Sequence, residues 1–257
     1  MKFTIERFLD TIRLFPEAFR FIRKNRIWEG FWKYTWVSTL VIIIGLLFTV
    51  RFYSYFAIWW IHIDPAAIGT ETRNLLSRFT GEGANLFLSS GFKYVIFIFM
   101  EIVIFHSVGR TIQLISKKQD REPTFKIFLK AQIRMIKISL RSWVKELIAT
   151  ILISIAIGIS GADFLKTPLI FIVQCYYIGF MMVDNYNERL GMNITQSAKF
   201  TQKFADVTLA IGLVVYIIMY IPLIGTFVGP LLGGVTATLM MHRLIQPPTN
   251  EDYNYEM

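Results

Sequence analysis

The stretch VTLAIGLVVYIIMYIPLIGTFVGPLLGGVTATLMM, residues 207–241, runs for 35 residues without an Asp, Glu, Lys or Arg. A surface helix of a water-soluble domain carries a polar face, whereas about 20 consecutive apolar residues suffice to cross the ~30 Å hydrocarbon core of a bilayer. The run is therefore read as membrane-embedded. It is also interrupted: Pro222, Gly225, Gly229 and Pro230 divide it into 207–220 and 231–241. As helices these pieces reach only about 21 and 17 Å, which favours a helical hairpin that enters and leaves by one face. Gly225, Gly229, Gly233 and Ala237 recur every four residues, a spacing that lets backbones approach closely. Broken backbone at membrane depth is tolerated where it is buried in protein or lines a wet cavity. Two readings of the tip follow: a turn packed against its neighbours, or a constriction whose freed N–H groups meet a passing anion.

Working outward, residues 34–50, 147–162 and 167–183 carry no charge, and 94–108 carry only Glu101 and His106. The composition agrees: 54% of the 257 residues are hydrophobic and 18% charged, with a mean hydropathy of +0.49. Soluble domains run about 45–50% apolar and about 25% charged. The expected fold is all-α and integral to the membrane. Two long transmembrane helices, near 32–63 and 87–115, accompany two short hairpins, either half-penetrating or thin full spans. Basic amphipathic helices lie at the interface. One helical membrane domain covers 1–246, and the polar tail 247–257 is read as disordered. Residues 1–33 hold 12 charges and no apolar core, which excludes a cleavable signal peptide there.

The formal net charge of +9 admits nucleic acid or an anionic membrane surface as partner. Its distribution favours the membrane. Eight Lys or Arg lie in 1–33 and ten in 109–146, against three in 64–93. The positive-inside rule then puts both termini in the cytoplasm and 64–93 outside, in a cell inner (plasma) membrane. Between 123 and 146, Phe125, Leu129, Ile133, Ile136, Leu140, Trp143 and Leu147 form one helical stripe. Lys126, Lys130, Arg134, Lys137, Arg141 and Lys145 form another. A weaker stripe, Phe8, Ile12, Phe15, Phe19 and Ile22, marks 1–33 as a basic amphipathic helix that Pro16 kinks or restarts. Such lysines meet anionic headgroups, or form an electropositive vestibule that concentrates a small anion. Nothing pairs them with a stacking platform for bases, so no nucleic acid is expected.

Two ionisable residues fall inside apolar segments, Arg51 and Glu101, where charge marks function by default. Glu101 is read as a functional carboxylate, as the partner of a cation such as Arg51, or as a protonated, hydrogen-bonded core group. Three histidines without Cys or carboxylate at ligand spacing predict no metal, and no cofactor is expected. Gly158-Ile159-Ser160-Gly161 matches an intramembrane-protease motif but has no later histidine placed to serve it. No phosphate-cradling glycine loop occurs. The chain is read as no enzyme.

Ile221-Pro222-Leu223-Ile224-Gly225, followed by Pro230, small residues and Thr238, resembles the C-terminal signature of CysZ-type sulfate permeases, which are grouped with the etoposide-induced-protein family. The resemblance extends upstream through the basic segment 128–143, an apolar pair ending at Asp184, and a polar helix from 193 to 206. It implies two long transmembrane helices with two partly penetrating hairpins, assembly as a homo-oligomer, and passage of a small inorganic anion. The family has Asn where this chain has Gly225, and Gly-Leu-Arg where it reads Asn25-Arg26-Ile27-Trp28. Arg23 and Arg26 are accordingly its anion-binding candidates by position. The alternative is a non-transporting membrane scaffold that binds lipid and partner proteins.

Overall fold

The computed structural model describes residues 3–29, 92–116, 125–221 and 224–245. Among these the structure is all helical: α1 (Ile5–Lys24), α2 (Phe92–Ser116), α3 (Phe125–Ser160), α4 (Lys166–Arg189), α5 (Ile194–Gln202), α6 (Ala205–Met219) and α7 (Ile224–Ile245). Among the described residues, four segments are long and apolar enough to cross a membrane: Ile96–Ser116, Leu129–Ser160, Asp163–Arg189 and Gly225–Ile245. The expected span near 32–63, with Arg51, lies outside the described residues, as do Pro222 and the tail.

The glycine pattern explains the centre of the bundle. α4 and α6 cross at Gly179 and Gly212, where a Cβ on Gly179 would collide with the Thr208 carbonyl and one on Gly212 with the Cys175 carbonyl. On α7, Gly225 sits against the Ile218 carbonyl, Gly229 against Met219, and Gly233 against Val215 and Met182. The four-residue spacing is thus a packing row that seats α7 on α6 and α4. The expected breaks at Gly225, Gly229 and Pro230 are corrected: all three lie within α7, and Pro230 is a helix-interior residue. Pro removes one backbone donor from the ladder, which does not terminate a helix held by neighbours on several sides. The turn of the hairpin lies earlier, at Tyr220 and Ile221. Its arms are unequal, about 22 Å for the 15-residue α6 and about 33 Å for the 22-residue α7.

α3 departs from expectation in two ways. The basic stretch is not a separate interfacial helix: from Phe125, the first described residue of the expected 123–146 helix, it continues through 146 into 147–160, giving 36 residues and about 54 Å. Its inward face is not the large apolar stripe: Ala131, Met135, Ile138, Ser139, Ser142 and Glu146 are buried, while Leu129, Ile133, Ile136, Leu140, Trp143 and Leu147 are exposed. Small side chains permit close approach to α2 and α4, and large apolar ones need no protein cover in hydrocarbon. Gly161, at φ +69, ends the helix by donating to the Ile157 carbonyl at 2.9 Å. That gives the Gly-x-Ser-Gly match a structural role.

α1 is one helix through Pro16, with Thr11, Leu14, Phe15, Ala18 and Ile22 buried. Phe19 of the expected stripe is exposed. Two ion pairs attach α1 to the hairpin. Arg7 Nη2 lies 2.6 Å from the buried Asp206 of α6, and Glu17 lies 3.1 Å from Arg243 of α7.

Candidate functional site: a cation-lined cleft

The last turns of α4 read Asp184-Asn185-Tyr186-Asn187-Glu188-Arg189, and residues 184–187 are buried. Buried polar groups require partners, and these come from α3 and α5. Arg134 of α3 forks onto Asp184, Nε to Oδ2 at 3.0 Å and Nη2 to Oδ1 at 2.9 Å. Its Nη1 donates to the Met192 carbonyl at 2.6 Å, and Glu188 lies 3.6 Å from its Nε. Ser197 of α5 donates to Asp184 Oδ1. Asn187 Nδ2 reaches Ser197 Oγ at 3.0 Å and Thr201 Oγ1 at 3.1 Å. The α4–α5 turn passes through Gly191 at φ +78, and α5 starts with a capping box in which Asn193 and Gln196 exchange bonds of 2.9 Å. Arg189 donates to the Phe105 carbonyl at 2.9 Å, with its guanidinium 3.9 Å from the Phe105 ring centroid.

This frame encloses an open cleft of about 830 Å³ between α3 and the α4–α5 turn. Its wall carries four cations, Lys130, Arg134, Lys137 and Arg189, against one carboxylate, Glu188. The two arginines are fixed by the bonds above; Lys130 and Lys137 are exposed. Residues 193–195, the start of α5, close one side, where a helix N-terminus presents backbone N–H groups. Phe105, Ile127, Ile133, Met192 and Ile194 supply apolar surface. Clustered cations over low-dielectric walls raise the local concentration of anions.

The structure gathers only part of the expected set. Lys130, Arg134 and Lys137 line the cleft; Lys126, Arg141 and Lys145 are exposed outside it. Arg23 and Arg26 do not line it. Arg23 is exposed in the last turn of α1, and Arg26, exposed and at φ +46, pairs with Glu29 at 3.0 Å. Glu101 is fully buried on α2, facing Asn185, Asp184, Glu188 and Arg189 of α4, and its Oε2 has no hydrogen-bond partner among the described residues. Gly225, Gly229 and Pro230 lie in α7, away from the cleft lining.

Sequence reasoning missed Glu188, Arg189, Phe105 and the start of α5. The available signal was the density of polar residues at 184–189 directly after an uncharged run. No family model matches the chain, and neither a curated protein nor a solved structure matches it.

Proposed function

We propose that this chain is a membrane permease or channel-like protein for a small inorganic anion, similar to CysZ-type sulfate permeases and working as a homo-oligomer. The observation that carries this reading is the cleft with four cations and one carboxylate. Lys130 and Lys137 gather the anion from solution. Arg189, held by the Phe105 carbonyl and ring, supplies a fixed positive charge that needs no rearrangement when the anion arrives, while Arg134, paired with Asp184, keeps the wall in place. The Lys and Arg asymmetry of the loops supports both termini in the cytoplasm of an inner membrane. The outward apolar stripe of α3 supports contact with lipid or with another copy.

The test is uptake of labelled sulfate and sulfite by proteoliposomes holding the full chain. The expected result is faster uptake than by protein-free vesicles, reduced when Lys130 and Lys137 are both replaced by Gln. Equal rates with and without protein would overturn the reading. The α3 surface also favours a second reading, a non-transporting scaffold binding lipid and partner proteins, since only 17% of the apolar window in Leu129–Ser160 is buried. A stable partner recovered by pull-down, together with no flux, would select it.

A further inference from the structure

We infer that the cleft seats the phosphate of an anionic phospholipid whose acyl chains lie along the outward face of α3. This rests on the reading of the cleft as an anion site and names a membrane partner for it, one that competes with a free anion for the same lysines.

Three observations carry the assignment. The first is size and lining. Sites of about 300–1,000 Å³ with mostly apolar walls and a few placed polar groups hold organic ligands of some bulk. The cleft, at about 830 Å³, falls in that size range, and Ile127, Ile133 and Ile194, with Phe105 and Met192, supply the apolar share of a wall that is otherwise charged and polar. A bare inorganic ion makes no use of the isoleucines.

The second is continuity. Lys130 and Lys137 are seven residues apart and share one face of α3. The same face continues through Val144, Ile148, Ile151 and Ile155, which are 42%, 51%, 49% and 55% exposed. From Val144 to Ile155 the helix rises about 16 Å, close to one leaflet, half of the ~30 Å hydrocarbon core. Arg141 and Lys145, both exposed, border this face between Lys137 and Ile148, so chains descending from a phosphate at Lys130 and Lys137 run beside them, over the exposed Leu140 and Val144, to reach Ile148 and Ile151.

The third is charge. Arg134 is already paired with Asp184, which leaves Lys130, Lys137 and Arg189 against Glu188, an excess that suits a headgroup with net negative charge. A choline headgroup brings its own cation to the same cluster. Phosphatidylglycerol is therefore selected over phosphatidylcholine, an amphiphile matching both the basic cleft and the apolar track.

The experiment titrates the purified, delipidated full chain with dioleoyl phosphatidylglycerol and dioleoyl phosphatidylcholine in mixed micelles, reading bound lipid by native mass spectrometry. Inorganic sulfate and phosphate are run as separate probes and as competitors. Phosphatidylglycerol should bind about tenfold more tightly than phosphatidylcholine, and the double variant Lys130→Gln, Lys137→Gln should lose about tenfold. Ile148→Ser with Ile151→Ser should weaken phosphatidylglycerol binding while leaving inorganic sulfate binding unchanged. Lys126→Gln, an exposed cation outside the cleft, should change neither. Equal binding of the two lipids, or phosphatidylglycerol binding indifferent to the double lysine variant, would overturn the inference. If sulfate binds through Lys130 and Lys137 while the lipid does not, the lipid assignment falls and the small-anion reading stands. If neither binds, both fall. Retained helical circular dichroism in each variant separates these outcomes from misfolding.

Discussion

Lys93 Nζ lies 2.7 Å from Glu146 Oε1 with both side chains fully buried, and the Tyr94 hydroxyl donates to Glu146 Oε2 at 2.7 Å. The pair joins α2 to α3 at the point where the basic half of α3 gives way to its uncharged half. Removing one partner of a buried ion pair leaves an uncompensated charge and costs about 3–5 kcal/mol, whereas replacing both by apolar groups of similar size is close to neutral. Lys93→Met should accordingly lower the melting temperature of the detergent-purified protein sharply. Lys93→Met combined with Glu146→Leu should recover most of the loss. A double variant no more stable than the single one would contradict this account.

The crossing of α4 and α6 is equally sensitive. A Cβ at Gly179 meets the Thr208 carbonyl, which is backbone and cannot rotate aside. Gly179→Ala should destabilise by about 1–3 kcal/mol through overpacking, seen as a lower midpoint in thermal unfolding. At Gly158, where an added Cβ meets nothing within 4 Å, Ala should instead stabilise α3 by up to about 1 kcal/mol.

Arg134 ties three elements with one planar fork, and a lysine has one nitrogen with which to replace three bonded ones. Arg134→Lys keeps the charge but gives up the bidentate contact to Asp184 or the bond to the Met192 carbonyl. A loss of about 1.5–3 kcal/mol is expected, the range for hydrogen bonds to charged groups. Hydrogen exchange should rise first in the 190–197 turn, because that segment depends on the lost bonds.

The two attachments of α1 should respond unequally. Asp206 is buried and accepts from Arg7 and from the backbone N–H of Thr4 and Val207. Asp206→Ala should therefore loosen α1, measured as faster hydrogen exchange over residues 5–15. Glu17 and Arg243 are about half exposed, and exposed pairs contribute about 0–1 kcal/mol. Glu17→Gln should leave exchange in α1 nearly unchanged.

How much of this was legible beforehand varied with the physics involved. Uncharged length is a one-dimensional property, so the apolar helices over 147–160, 167–183 and 207–219 could be read directly. The inward face of α3 could not. Periodicity identifies an apolar stripe but does not say whether protein or hydrocarbon covers it, and Ala131, Ser139 and Ser142 turned out to be the packed side. Pro230 misled for a related reason: a proline reads as a break until neighbouring helices hold the chain around it. In the cleft, the lysines were visible as a stripe. Glu188 and Arg189 were not, because they join it only through the return of α4 alongside α3.

α3 and α4 carry more length than a bilayer needs. At about 54 and 36 Å, each exceeds the ~30 Å of a hydrocarbon core. In a chain seated in a membrane that surplus works as a standoff: the first turns of α3, with Lys126, Lys130 and Arg134, and the last turn of α4, with Glu188 and Arg189, stay hydrated while the uncharged stretches of the same two helices meet the lipid.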